Sequence, residues 1–344
     1  MSLPAPWRSM NRICAFTAID RPRARRLGRF ATALLVLLLA GAGCTPVRPV
    51  VKIGLIAPFE GLYRETGYEA LAALRAAIET CSPAGIDVLP LALDDSNRPD
   101  NARRAAAKLL VDPATAAIIG PYNFDTAIAA GQELTAGRVN WLAPYILGAD
   151  GRFAAPDGDL GWLADLIAAI AAVAQHEGAQ QIAVAGLPPA WLAPLSALLA
   201  GSPAPIPVHL LDPDAGALSD PGAHGAYLWL GEAHTGAHRL AELRAMRPDA
   251  AFWLGPQGGD PVFTAHAAIQ GPVYWATWAG AQYNSVSQPA ALSSPAARLT
   301  FDAACAALKG MDGESPPPQP RRLEAYRIAQ NGESVPLGIE SGGP

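Results

Sequence analysis

The stretch that decides the fold reads Leu91-Ala-Leu-Asp-Asp-Ser-Asn-Arg-Pro-Asp100, Asn101-Ala-Arg-Arg-Ala-Ala-Ala-Lys-Leu-Leu-Val111, Asp112-Pro-Ala-Thr-Ala-Ala-Ile-Ile-Gly-Pro121. A short apolar run ends in two carboxylates and a turn of Ser, Asn, Arg and Pro. Pro99 suits a helix start, where its missing N–H costs nothing. Ala102, Ala106, Leu109 and Leu110 then recur at the spacing of one helix face. Pro113 stops the helix, and 116–119 is a short buried strand broken by Gly120-Pro121. This is a β-α-β unit, so a parallel sheet with helices on its faces is expected. Such folds bind ligands at the carboxyl ends of their strands. The turns after Leu93 and Ile119 are therefore the first places to look for function.

Working outward, 50–57 reads as a strand, 58–67 as a loop, 68–79 as an Ala-rich helix and 87–93 as a second strand. Beyond the opening unit, a helix is expected over 126–135 and a strand over 141–144. The chain has 344 residues, enough for two lobes, and 51% hydrophobic content supplies sizeable cores. A net charge of −5 argues against a nucleic-acid partner.

The N-terminus carries Arg21, Arg23, Arg25, Arg26 and Arg29, then an apolar run over 30–40, then Gly41-Ala42-Gly43-Cys44. The run is too short to span a bilayer permanently, and basic-then-apolar-then-small is an export signal. Cys44 after small residues resembles a bacterial lipoprotein signal, in which the cysteine becomes the mature, lipid-bearing N-terminus. Gly41 stands where such signals usually have Leu, and an ordinary cleaved signal is the alternative. The expected division is a signal over 1–44, with Met1 or Met10 as its start, and a tether over 45–50. Export would place the folded part outside the cytoplasm, where disulfides are permitted. Cys81 and Cys305 could pair there or remain buried thiols, since spacing does not show proximity.

Ile53-Gly-Leu-Ile-Ala-Pro-Phe-Glu-Gly61, Leu93-Asp-Asp-Ser96, Ile118-Ile-Gly-Pro121 and Ala143-Pro144 resemble the N-terminal lobe of type I periplasmic binding proteins. The nearest branch is the branched-chain amino acid receptors of ABC importers. The resemblance implies two Rossmann-like α/β lobes with parallel sheets flanked by helices, joined by a hinge, with ligand held between them. It places an N-terminal lobe at 51–150, a C-terminal lobe at 151–258, and a return to the first lobe with a trimmed tail at 259–344. A first crossing is expected near 151–155, and a Pro-rich loop at 310–320. An ABC permease, a small-molecule ligand, a membrane reached through lipid on Cys44, and a monomer are the implied partners and state. No cofactor is implied.

The resemblance also nominates ligand-binding positions. The loop after the third strand brings Tyr122 and Asn123 where the family usually has Ser. The next loop brings Tyr145. The family's acidic residue in a Gly-Pro-Glu-Gly context is Gln257, which is neutral. Every polar anchor for a zwitterionic amino acid is thus replaced, which points away from a standard branched-chain ligand. Glu232 could supply a replacement charge or be a solvated loop residue. Tyr63 and Trp191 sit in loops where the family covers its ligand with aromatics, and could equally pack.

Other constellations carry less. Adjacent strand residues point to opposite faces, so Asp94 and Asp95 are expected to serve the turn, one of them capping the next helix, rather than to form a catalytic dyad. His234 and His238 stand at i, i+4, a metal-ligand spacing, but without an accompanying carboxylate motif; a solvated face is the simpler expectation. No Gly-x-Ser-x-Gly, phosphate-binding Gly-Lys loop or Gly-x-Gly-x-x-Gly turn occurs, so binding is favoured over catalysis. The alternative to transport is an envelope lipoprotein of the same fold that regulates a protein partner.

Overall fold

A computed structural model describes residues 48–137, 139–148, 153, 158–202, 204–212, 222, 225–279, 292, 294–311 and 321–338. Cys44 and the whole signal, most of the expected first crossing and nearly all of the Pro-rich loop lie outside the described residues. The β-α-β unit at the centre of the sequence forms as expected. Strand β1 (Val50–Ala57) lies between β2 (Asp87–Asp94) and β3 (Thr115–Ile119), both parallel to it, and β4 (Asn140–Leu142) extends the sheet beyond β3. Helix α1 (Arg64–Cys81) covers one face; α2 (Pro99–Leu110) and α3 (Phe124–Gly137) cover the other. Helix α2 starts at Pro99 and buries Ala102, Ala105, Ala106 and Leu109 against Ile56, Ile118 and Leu134. Its small residues let α2 and α3 pack closely.

Helix α1 begins four residues earlier than its sequence pattern suggests, because Gly67 does not break it. A Cβ at Gly67 would meet the Pro58 carbonyl oxygen at 2.0 Å. The glycine is there so that the first turn of α1 can press against the loop leaving β1.

The second sheet has the order β11-β10-β9-β8-β7-β5-β6. Strands β5 (Gln181–Ala185), β6 (Val208–Leu210), β7 (Gly225–Trp229), β8 (Ala251–Leu254) and β9 (Val273–Trp278) run parallel. Helices α4 (Gly161–His176) and α5 (Pro189–Ala200) lie on one face, and α6 (Ala233–Met246) and α7 (Pro261–His266) on the other. Alternation along β7 and β8 decides which side chain serves which face: Tyr227, Trp229, Phe252 and Leu254 look toward α6, while Ala226, Leu228 and Trp253 look toward α4.

The C-terminal part departs from the expected return to the first lobe over 259–344. Among the described residues only α8 (Pro295–Met311) goes back, packing beside α1. Strands β9, β10 (Leu323–Ile328) and β11 (Ser334–Pro336) belong to the second sheet, with β10 antiparallel to both neighbours. The reason is cross-strand packing. Tyr326 is directly opposite Trp275, their rings stacked at 4.2 Å, and the Trp275 indole N–H donates to Ser334 Oγ at 2.8 Å. Arg298 on α8 ties the excursion back to β10 through Glu324 at 3.0 Å. Arg321 and Asp302 add a second, buried tie at 3.2 Å.

The open question about the cysteines is decided by this excursion. Cys81 at the end of α1 and Cys305 in α8 are joined by a disulfide, with Cα atoms 5.3 Å apart across 224 positions of sequence. Among the described residues no helix is long and apolar enough to cross a membrane.

Candidate ligand cleft between the lobes

The carboxyl ends of the two parallel sheets face each other. From the first lobe come the loops after β1, β2, β3 and β4; from the second, those after β5, β7 and β8. Between them lies a cavity of about 40 Å³ lined by Tyr122, Asn123, Asp125, Tyr145, Glu232 and Gln257, together with Phe124 and the backbone at Gly186 and Gly231. Of the seven positions that the sequence nominates for a ligand, five therefore meet: Tyr122, Asn123, Tyr145, Glu232 and Gln257.

Each is held by its own local structure. The Thr300 hydroxyl donates to the Ala296 carbonyl at 2.5 Å, so the hydrogen bond between Tyr122 and Thr300 is donated by the Tyr122 O–H. The Tyr145 ring meets Tyr122 edge-on at 5.6 Å, and its O–H donates across the cleft to Asp260 Oδ1 at 2.6 Å. Burial, helped by the neighbouring Asp260, pushes the Tyr145 phenol far above its usual range. Burial also pushes the Asp260 carboxyl up to about 7, against the pull of the Tyr145 hydrogen bond.

Glu232 stands at the N-cap of α6, and its loop is fixed from two sides. The Trp229 indole N–H donates to the Glu232 carbonyl at 2.9 Å. Gln257 Nε2 donates to the carbonyls of Trp229 and Gly231 at 3.2 and 3.0 Å. Gly186 has φ +81, and a Cβ there would meet the Gly231 nitrogen at 2.4 Å, so the ends of β5 and β7 touch through glycine. Desolvation raises the Glu232 carboxyl, the Asn97 hydrogen bond opposes it, and Asp125 adds to the rise.

The bridge from first lobe to Glu232 is Asn97, a residue that the sequence did not single out. Asn123 Nδ2 donates to Asn97 Oδ1, and Asn97 Nδ2 donates to Glu232 Oε1 at 2.7 Å. Asn97 reaches the cleft because the turn after β2 holds Ser96 and Asn97 at φ 46° and 54°. Asn tolerates that left-handed region better than most residues. The two aspartates hold this turn. Asp94 Oδ1 accepts from the N–H groups of Phe59 and Ser96 at 2.7 and 2.9 Å, and Asp95 Oδ1 accepts from Asn97 N–H at 2.8 Å. They do not cap the helix: the N-cap of α2 is Arg98, with no side-chain cap bond. They do part to opposite sides, Asp94 exposed and Asp95 buried, with burial pushing Asp95 up to about 7. The signal available in sequence was the Asp-Asp-Ser-Asn string, a run of turn formers.

Tyr63 and Trp191 are placed elsewhere. Tyr63 leaves the first lobe and buries its ring in the core cluster of the second, where its oxygen accepts the His234 N–H at 3.2 Å. Trp191 packs against Phe124 and Trp162, with ring centres 5.3 and 6.2 Å away, behind the cavity wall. His234 packs edge-on against His238 at 4.7 Å and His266 at 4.9 Å. Among the described residues no group of three His, Cys, Asp or Glu is placed to hold a metal ion.

The family model described as periplasmic binding protein matches residues 50–202. Residues 50–202 are a periplasmic binding protein domain. The fold of the chain, with its paired parallel sheets, is the type I periplasmic binding protein fold. A leucine-binding protein from Thermotoga maritima is 15% identical, with TM-score 0.62 over 84% of this chain and 98% of that one. A branched-chain amino acid transporter substrate-binding protein from Streptococcus pneumoniae, in complex with isoleucine, is 15% identical, with TM-score 0.56 over 84% and 99%. A solute-binding protein of an ABC transporter from R. palustris, in complex with 4-hydroxybenzoate, is 14% identical, with TM-score 0.58 over 85% and 96%. No curated protein sequence matches the chain.

Proposed function

We propose that this chain is an extracytoplasmic solute-binding protein, anchored by lipid on Cys44, that captures a small polar molecule between its lobes and delivers it to an ABC permease. The observation that carries this is the cavity itself. Tyr122, Asn123 and Tyr145 come to it from one lobe, and Glu232 and Gln257 from the other. A ligand there touches both lobes and so favours the closed form by its differential affinity. The Cys81–Cys305 disulfide supports an oxidising compartment. Structurally similar proteins crystallised with isoleucine and 4-hydroxybenzoate support a small organic ligand.

A thermal-shift screen of the purified full chain in detergent tests the reading, with aliphatic amino acids, amides, small carboxylates, polyamines, urea and aromatic acids. A ligand at a hundred times its Kd adds about 2.7 kcal/mol of stability. A raised melting temperature for one class supports the reading; silence from a cooperatively melting protein sinks it. Growth with labelled palmitate, comparing Cys44→Ala with the parent, tests the anchor.

One observation favours a second reading, a regulatory lipoprotein that binds a protein partner. The room between the lobes, about 40 Å³, takes only a few waters, and side chains bridge across it. Silence in the screen together with a specific protein partner would establish that alternative.

A further inference from the structure

The side chains that line the cavity offer mostly hydrogen-bond acceptors. Its side-chain donors are nearly all engaged with the protein itself. The Tyr122 O–H goes to Thr300 and the Tyr145 O–H to Asp260. Both hydrogens of Gln257 Nε2 go to backbone carbonyls. One hydrogen of Asn123 Nδ2 goes to Asn97 and one of Asn97 Nδ2 to Glu232, so the second hydrogens of these two amides are the side-chain N–H groups left over. On the other side of the count, Oε2 of Glu232, the whole carboxylate of Asp125, and the amide oxygens of Asn123 and Gln257 have no hydrogen-bond partner among the described residues. The lining contains two carboxylates and no Lys, Arg or His.

Two helices begin at this cavity, and helix N-termini ordinarily attract anions. Here each start already carries its own negative charge: Asp125 in the first turn of α3 and Glu232 at the N-cap of α6. Neither start is left with an unopposed positive end, and a ligand carboxylate placed there would meet two fixed carboxylates. The Tyr122 and Tyr145 rings and Phe124 add aromatic walls, which favour an apolar body or a cation.

From this donor–acceptor count we propose that the cleft selects a small cation without a carboxylate, one that presents ammonium, amidinium or guanidinium N–H groups to Glu232 and Asp125. The inference rests on the solute-binding reading above and narrows it. Glu232 Oε2 receives the N–H donors, its Oε1 stays with Asn97, and the closing of the lobes brings Asn97 and Glu232 together around the ligand head group.

Isothermal titration of the full chain in detergent tests this. The probes are methylguanidine, agmatine and putrescine, with leucine, isoleucine and benzoate as the opposing set. The expected result is saturable binding of at least one cation and none of the carboxylates. Glu232→Gln keeps the acceptor for Asn97 and removes the charge; it should weaken cation binding at least tenfold. Asp125→Asn, an exposed change at a helix start, should weaken it in the same direction, and Glu79→Gln, exposed on α1, should not. Two variants keep the test sharp if one fails to fold. Binding of leucine or benzoate with no cation binding overturns the cation proposal and leaves the solute-binding reading standing. Cation binding that is indifferent to both Glu232→Gln and Asp125→Asn places the cation elsewhere and overturns it as well. Silence from all six probes, with none from the wider screen, overturns both readings together.

Discussion

Asp260→Asn should stabilise this protein increasingly as pH rises from about 4 to above neutral. Asp260 is buried between the lobes, and its carboxyl is pushed from 3.8 up to about 7 by desolvation. A carboxyl whose folded pKa is raised contributes stability that is complete below the unfolded pKa and is lost as pH rises through the folded one. With these values the buried carboxyl, protonated at pH 5 and ionised at pH 8, costs the native state about 1.7 kcal/mol at pH 5 and about 4 kcal/mol at pH 8. The Asn side chain has the same shape, carries no charge, and keeps an oxygen to accept the Tyr145 O–H. The gap between variant and parent should therefore widen by about 2.5 kcal/mol from pH 5 to pH 8. Urea unfolding followed by tryptophan fluorescence at pH 5, 6, 7 and 8 measures it. Asp95, also raised to about 7, and His234, which is lowered, add their own pH dependence, but they do so in both proteins and cancel in the difference. A gap that stays constant across pH, or a variant that loses as much stability at pH 8 as at pH 5, would show that Asp260 is not held protonated by its burial.

Three further outcomes follow from the geometry. Asn97→Gly removes the side chain that bridges Asn123 and Glu232 while suiting the left-handed backbone there, and a hydrogen bond to a charged group contributes about 2 kcal/mol; small-angle scattering should show a more open average shape, and an unchanged profile would refute the bridging role. Gly67→Ala drives a Cβ into the Pro58 carbonyl and should cost about 2 kcal/mol or more, whereas Gly85→Ala, with open space around its Cβ but φ +82, should cost about 1 kcal/mol; equal melting temperatures would contradict the close approach of α1. Cys305→Ser opens a loop of 224 positions, for which chain entropy predicts a loss of about 5 kcal/mol, and non-reducing peptide mapping of the parent should recover the Cys81 and Cys305 peptides joined; recovery of both as free thiols would exclude the bond.

The β-α-β unit over 91–121 was legible because it rests on local causes: Pro99 at the first turn, a 3.6-residue apolar period, and Gly120-Pro121 after the strand. Those causes, together with the strand-end motifs, carry the family and the placement of Tyr122, Asn123, Tyr145, Glu232 and Gln257 at strand ends. Asn97, Asp125 and Asp260 were not legible, since what brings them to the cleft is the approach of one lobe to the other, and no local pattern encodes a distance between segments 135 positions apart. Tyr63 and Trp191 show the same limit from the other side: a loop aromatic reads alike whether it meets a ligand or a core. In this protein the Tyr63 oxygen takes the His234 N–H and Trp191 fills the space against Phe124 and Trp162.

The sequence by itself determined the alternating strands and helices, the parallel order of the first sheet and the export-like N-terminus, because apolar period, proline and glycine act within a few residues of themselves. The tertiary structure alone decided that Cys81 finds Cys305, that β10 and β11 join the second sheet through Tyr326 on Trp275, and that the cleft is left with acceptors and few donors. Each of those depends on which surfaces remain unmatched once the local elements have formed, and that is settled only when they pack.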